Sequence, residues 1–133
     1  MTDERRAEIQ KILETDETAI YFQKMEKGEK VSYGQGYAYR AWRDSLENNA
    51  SAFEVHALPW SAPDLDGEMK KFVDTLREAG IDHFIITDES TALMRCLHTL
   101  IGAGGILEGP ATVTRKPPYW NEETRLGLEI RIV

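Results

Sequence analysis

The run from Leu65 to Thr87 constrains the fold more than any other part of the sequence, because it reads as a helix followed at once by a buried strand. Apolar residues share one helical face at positions 65, 69, 72, 73, 76 and 79, and Gly80 stands where a left-handed C-cap belongs. The segment HFIIT that follows is a continuous apolar strand of the kind covered on both faces. With a short strand predicted in AFEVHALPW, this passage indicates a right-handed crossover between parallel strands.

The residues before this crossover predict helices. Apolar residues approximate one helical stripe from Asp3 to Glu14, and DETAIYFQKMEKG extends that helix or forms a second one, which stops at Gly28. A further helix is expected in VSYGQGYAYRAWRDSLENN. We expect it to start late, because Gly34 and Gly36 each disfavour a helix by about 1 kcal/mol.

The residues after the crossover predict a covering helix and two more strands. The helix spans Thr91 to Ile101, and the third strand, in GAGGILEGPATVTRK, should lie at a sheet edge because Pro110 interrupts it. The last strand, TRLGLEIRIV, alternates apolar and polar residues and returns antiparallel after a long loop. We therefore predict one α/β domain: a helical part over 1–50, then β-α-β-α-β-β over 51–133 with a four-stranded mixed sheet.

Charge and composition exclude several classes of protein. With 133 residues, a formal charge of -7 and a pI near 5.0, the chain is not expected to bind nucleic acid, because that affinity comes from Lys and Arg on phosphates. Cys96 is the single cysteine, so a disulfide within the chain is excluded and a reducing cytoplasm fits. No apolar run approaches the roughly 18 residues of a membrane span, and the N-terminus lacks the apolar core of a signal peptide.

The second half resembles the C-terminal half of the N-acetyltransferase superfamily. The segment TLREAGIDHFIIT is similar to that family's helix, loop and strand, and STALMRCLHTLIGAGGILEG to its next helix and glycine. The resemblance implies that the last strand inserts between its neighbours, beside His83 to Thr87. The family's glycine-rich turn for coenzyme A is replaced by LPWSAPDLDGEM, so cofactor binding is not carried over. The segment LREAGIDHFIITD is also similar to a group of small uncharacterised bacterial proteins.

The turn at Asp88, Ser90 and Thr91 follows a parallel strand, where ligands of α/β sheets tend to bind. A ligand site is one interpretation of it. The favoured one is a helix cap, in which the side chain of Asp88 or Ser90 satisfies the first amides.

Other titratable residues favour structural roles. The histidines 56, 83 and 98 match no ligand spacing, although the first two could be neighbours in the sheet. Cys96 lies in the middle of a helix, where nothing stabilises a thiolate, so core packing is expected. The acidic residues 64, 66 and 68 are interpreted as helix-start charge rather than as a calcium or magnesium site.

Aromatic residues provide the candidate interaction surface. Tyr119 and Trp120 lie in the long loop KPPYWNEE and are the preferred site. Tyr33 and Tyr37 could contribute to such a surface or, the favoured alternative, pack the N-terminal helices on the sheet. We therefore expect a small cytoplasmic binding or accessory protein without a cofactor, whose partner is a protein or a small molecule. A homo-oligomer is left open, and the alternative function is a divergent acyl-CoA-dependent N-acetyltransferase.

Overall fold

A computed structural model describes residues 3–15, 17–26, 31–118 and 121–133. Five helices and four strands follow one another in these segments. In chain order they are α1 (Asp3–Thr15), α2 (Glu17–Glu26), α3 (Tyr33–Glu47), β1 (Glu54–Val55), α4 (Leu65–Glu78), β2 (His83–Ile86), α5 (Leu93–Gly102), β3 (Gly105–Arg115) and β4 (Glu123–Ile132). None of the described helices is long and apolar enough to cross a membrane.

The strands form one mixed sheet in the order β1-β2-β4-β3. β1 and β2 are parallel, and β4 is antiparallel to both β2 and β3. The predicted parallel pairing of the first two strands, the edge position of the third strand and the insertion of the last strand beside β2 are therefore confirmed. The Pro110 ring lies in β3 just beyond an irregularity between Leu107 and Gly109, as is typical of an edge strand.

β1 is much shorter than the predicted strand AFEVHALPW, since only Glu54 and Val55 belong to it. The backbone amides of Leu58 and Trp60, after β1, donate hydrogen bonds to groups outside the neighbouring strand. The amide of Leu58 donates to the Asp88 carboxylate at 2.9 Å, and the amide of Trp60 donates to the Leu58 carbonyl at 2.7 Å. A side chain and a tight turn thus replace the hydrogen bonds that a longer β1 would form with β2.

The core lies between the sheet and the helices α4 and α5. Phe84 and Ile130 are register partners, and both are buried with Phe72 of α4 and Leu100 of α5. The rings of Phe72 and Phe84 meet edge to face, with centroids 6.3 Å apart. The alternation of the last strand predicts its inner side correctly near the C-terminus, but Leu126 at its start is 79% exposed.

α4 begins and ends as its sequence predicts. The Asp64 carboxylate accepts a hydrogen bond from the Gly67 amide at 3.2 Å, and Gly80 has φ +83°, the left-handed conformation that glycine adopts without strain. The Ile81 amide closes the C-terminus by donating to the Leu76 carbonyl at 2.9 Å.

α3 starts at Tyr33, so the expectation of a late start is wrong. Ser32 and Gln35 form a capping box, in which the Gln35 amide donates to Ser32 Oγ at 3.2 Å and the Ser32 amide to Gln35 Oε1 at 3.0 Å. The Gly34 backbone lies directly against α4, and its amide donates to the Glu68 carboxylate at 2.7 Å. This bond lowers the pKa of Glu68, although burial opposes the shift. A cap and a close helix contact therefore outweigh the low helix propensity of glycine.

The N-terminal helices share the same core. The Trp42 ring stacks on Phe22 of α2 with centroids 5.5 Å apart, and its Nε1 donates to the Leu13 carbonyl of α1 at 3.1 Å. Thr18 Oγ1 donates to the Ala79 carbonyl at the end of α4 at 2.7 Å. α1 and α2 are thus joined to the α/β part through α3 and α4.

Replacing Gly34 with Ala should destabilise the protein. The added Cβ would lie 2.2 Å from the Glu68 carbonyl oxygen and 2.8 Å from the Phe72 amide nitrogen, so the helices would have to separate. We expect the free energy of unfolding to fall by about 1–3 kcal/mol in urea titrations followed by circular dichroism. Gly36→Ala is the matched control, because its Cβ would meet only Val31 Cγ2 at 3.8 Å. Equal stability of the two variants would contradict the backbone contact.

Candidate functional site

A buried polar cluster lies beside the carboxyl ends of β1 and β2. Arg115, at the end of β3, donates from Nε to Glu54 Oε1 at 2.6 Å and from Nη2 to Glu54 Oε2. Thr87 Oγ1 donates to the same carboxylate. All three residues are buried, and the outer Nη1 of Arg115 reaches Glu123 at 3.4 Å. Burial alone would lower the pKa of Arg115, but the hydrogen bonds to Glu54 and the charge of that carboxylate raise it, so the guanidinium stays protonated.

The cluster fastens the end of β3 onto the connection between α3 and β1. The Ser51 amide donates to the Thr114 carbonyl at 2.9 Å, the Thr114 amide to Ser51 Oγ at 2.9 Å, and the Lys116 amide to the Asn48 carbonyl at 2.9 Å. Because Glu54 already accepts bonds from Arg115 and Thr87, its contacts are those of a structural tie. A signal for it exists in the sequence, since Glu54 is a charged residue in an otherwise apolar strand.

The turn at Asp88, Ser90 and Thr91 does not cap α5 through a side chain, and that expectation is wrong. Asp88 instead joins two loops, because its carboxylate accepts from the Leu58 amide at 2.9 Å and from the Ser90 amide at 2.6 Å. Ser90 Oγ is buried without a hydrogen-bond partner within the described segments, whereas Thr91 is exposed. A ligand at this turn stays a prediction.

The histidines lie apart. His56 follows β1 and His83 begins β2, so the parallel register separates them along the strand direction, and His98 is exposed on α5. His56 Nε2 lies 3.3 Å from Asp44 Oδ2 on α3. Burial lowers the pKa of His56, and the nearby Asp44 carboxylate opposes that shift. Across the segments that the structure describes, no group of three or more His, Cys, Asp or Glu residues is placed to hold a metal ion.

Cys96 is a core residue, as predicted. Its side chain is fully buried within the apolar cluster. Burial, together with the charge of Asp88, raises the pKa of the thiol to about 11. The thiolate is therefore disfavoured at neutral pH, which makes this cysteine a poor nucleophile.

The aromatic stretch of α3 divides between the core and the surface. Trp42 is buried, and Tyr37 and Tyr39 are partly buried against the core, whereas Tyr33 is 52% exposed and Val31 is 40% exposed. The favoured alternative, core packing, therefore describes Tyr37 in part and does not describe Tyr33. Tyr33 and Val31 line an open groove of about 560 Å³, which we call the α3 groove. Its lining residues are Val31, Ser32, Tyr33, Gly36, Tyr37 and Arg40.

Arg40 closes one end of the α3 groove, a role that sequence reasoning missed. Its guanidinium carbon lies 5.9 Å from the centre of the Tyr37 ring, and its Nε lies 3.6 Å from Asp44 Oδ2. Residues 33, 37, 40 and 44 share one helical face, so their spacing was a usable signal. Tyr119 and Trp120, the preferred interaction residues, lie outside the described residues.

Removing either partner of the Glu54–Arg115 pair alone should strongly lower the free energy of unfolding. We expect Glu54→Gln and Arg115→Met each to lose about 3 kcal/mol or more, because each leaves a buried polar group unpaired. The double variant should lose less than the sum, and urea titrations of the cycle measure the difference. The exposed pair Arg131–Glu108, at 2.5 Å, is the control, with an expected coupling below about 1 kcal/mol. Additive losses at Glu54 and Arg115 would rule out the coupling.

Comparison with known proteins gives one family. Residues 37–131 match the family described as a domain of unknown function, DUF7698. No curated protein matches the chain, and no solved structure matches it. The matched residues run from the middle of α3 through most of β4, and they include Arg40, Asp44, His56 and the Glu54–Arg115 cluster. This chain therefore belongs to the DUF7698 family.

Proposed function

We propose that this protein is a non-catalytic binding module that holds a peptide segment of a protein partner in the α3 groove. The observation that carries the proposal is the exposure of Tyr33 and Val31 beside the half-buried Tyr37, on one wall of an open cavity. Exposed tyrosines offer a large contact area and lose little side-chain entropy on binding. An apolar side chain of a partner would lie between these three residues.

The rigidity of the helix supports this role. The groove is built on the first turns of α3, which the Ser32–Gln35 capping box and the bond from Gly34 to Glu68 hold in place. Gly36 leaves the floor of the groove open, because only Val31 Cγ2 would approach its Cβ. A preformed surface on a fixed helix loses less entropy when a partner binds than a mobile loop would.

The polar residues elsewhere are consistent with a binding role. The Glu54 carboxylate is bonded to Arg115 and Thr87, and the Asp88 carboxylate to two backbone amides, so these groups are already satisfied within the fold. The Cys96 thiol is buried and its pKa is raised to about 11. These contacts favour structural roles for the residues that could otherwise serve as bases or nucleophiles.

Peptides selected against this protein should depend on Tyr33. We expect a random phage-displayed library to yield binders whose affinity, measured by fluorescence anisotropy, falls about tenfold or more in Tyr33→Ala, as for a central contact residue. Trp60→Ala is the matched control, because Trp60 is a similarly exposed aromatic, at 54%, and does not line the groove. Circular dichroism checks that both variants fold.

Two results would contradict the binding module. Selected peptides that bind Tyr33→Ala and the wild type equally would place the recognition surface elsewhere. A loss of self-association of the free protein in Tyr33→Ala, seen by analytical ultracentrifugation, would make the α3 groove an interface between copies of this chain.

The alternative function is a divergent acyl-CoA-dependent transferase. The placement of β4 between β2 and β3 favours it, since the N-acetyltransferase resemblance implies that strand order. The start of α4 disfavours it, because the Asp64 carboxylate already accepts from the Gly67 amide and Asp66 and Glu68 add negative charge. We expect no heat on calorimetric titration with millimolar acetyl-CoA. Saturable heat, with amide shifts between Trp60 and Gly67, would favour the transferase instead.

A further inference from the structure

The carboxylate of Asp44 is shared by three cationic or ionisable side chains. Arg40 Nε lies 3.6 Å from Asp44 Oδ2, Arg43 Nε lies 3.8 Å from Oδ1, and His56 Nε2 lies 3.3 Å from Oδ2. Arg43 also approaches Glu47 at 3.8 Å. Both arginine contacts are longer than the 2.7–2.9 Å of a strong charge-assisted hydrogen bond, so Asp44 holds Arg40 loosely.

Charge at the α3 groove indicates the chemistry of its occupant. Of the lining residues that the structure describes, only Arg40 is charged, although the chain as a whole carries -7. The Arg40 side chain is 47% exposed and extends over Tyr37 at the groove's end. A cation at one end of an aromatic groove favours a partner that carries a carboxylate next to an apolar side chain.

We propose that the α3 groove binds a partner segment whose carboxylate replaces Asp44 on Arg40 while its neighbouring apolar side chain lies between Val31, Tyr33 and Tyr37. This inference rests on the proposed function and adds the chemical class of the partner. In the free protein Asp44 occupies the position on Arg40 that the partner's carboxylate takes in the complex. When the partner binds, the Asp44 carboxylate pairs with His56 instead.

The surroundings of His56 give this exchange a pH dependence. His56 faces Asp44 and Arg40 from α3, Arg115 from β3 and Glu54 from β1. Burial lowers the pKa of His56 from its ordinary value near 6.5, so the ring is neutral at neutral pH and leaves Asp44 to the arginines. When the His56 ring is protonated in mildly acidic solution, Asp44 has a third cationic neighbour. Asp44 then pairs with His56, and Arg40 becomes free to bind the partner's carboxylate.

Two small probes test the assignment, because they differ only in charge. N-acetylphenylalanine has a carboxylate, and N-acetylphenylalanine amide has the same ring without the charge. Titrated into ¹⁵N-labelled protein, the acid should bind up to about fivefold more tightly than the amide, with shifts of the Ser32 to Tyr37 amides. Arg40→Gln should remove the preference. Arg95→Gln is the matched control, because Arg95 is an exposed arginine on α5 that lies 3.8 Å from Asp66.

The exchange with Asp44 is tested by pH and by two further variants. As the pH falls from about 7.5 to below the ordinary histidine value of about 6.5, with the probe still ionised, its affinity should rise up to about fivefold. Asp44→Asn should bind the acid more tightly at the higher pH and lose the pH dependence. His56→Gln should lose the pH dependence alone.

The outcomes separate this inference from the proposed function. If neither probe shifts the groove amides, the carboxylate assignment is overturned, and the binding module is overturned as well when the selected peptides do not depend on Tyr33. Equal binding of the acid and the amide keeps the module and overturns the assignment. A preference for the acid that survives Arg40→Gln overturns it as well.

Discussion

Gly34 brings the backbone of α3 against the backbone of α4, and the position of the α3 groove depends on that contact. Because glycine has no Cβ, the Glu68 carbonyl and the Phe72 amide can approach within distances that any side chain would block. The Glu68 carboxylate then accepts the Gly34 amide, which would otherwise be an unpaired group at the helix N-terminus. One face of α3 is thus fixed to α4, and the flank beside it presents Tyr33, Tyr37 and Arg40 to the α3 groove.

The second tie, Glu54 with Arg115, serves a different purpose. β1 has only two residues, so backbone hydrogen bonds alone hold this edge of the sheet weakly. A buried ion pair is costly to desolvate, and its net stabilisation relative to apolar packing is small. It does, however, admit one arrangement of the β3 end against the α3–β1 connection, since another register would leave both charges buried and unpaired. The cluster therefore favours this one arrangement, although the pair adds little net stability relative to apolar packing.

Local signals were sufficient for most of the fold. The helix α4, the apolar strand β2 and the alternating strand β4 each follow from a pattern within one segment. The position of β4 between its neighbours was expected from the family resemblance of the second half and not from these patterns. The length of β1 was predicted wrongly because the Leu58 amide bonds to a distant group, the Asp88 carboxylate. The start of α3 was predicted wrongly because the low helix propensity of glycine was weighed without the Ser32–Gln35 capping box and the distant Glu68 carboxylate. A sequence window contains the capping box but neither carboxylate.

The candidate site was predictable only in part, because some of its contacts also depend on residues that are distant in the sequence. The sequence indicated Tyr33 and Tyr37 as possible surface residues because tyrosine offers a large contact area, although packing of the N-terminal helices on the sheet was the favoured alternative. The difference between the exposed Tyr33 and the buried Trp42 required the direction of α3 relative to α4. The roles of Arg40 and Asp44 required His56, which approaches α3 only once β1 is in the sheet.

The energetics of His56 link the site to the stability of the whole protein. Its folded pKa is lowered chiefly by burial, with Asp44 acting against the shift, so the unfolded chain binds a proton more readily than the folded one. Stability therefore rises with pH through the window below the unfolded value of about 6.5, and it is lost as the pH falls through that window. A bound carboxylate at Arg40 would leave Asp44 to His56 and raise the pKa of the imidazole, which reduces this loss. The proposed exchange therefore predicts that ligand binding and stability in acid are coupled through Asp44, because this carboxylate contacts both Arg40 of the groove and His56 beside the sheet.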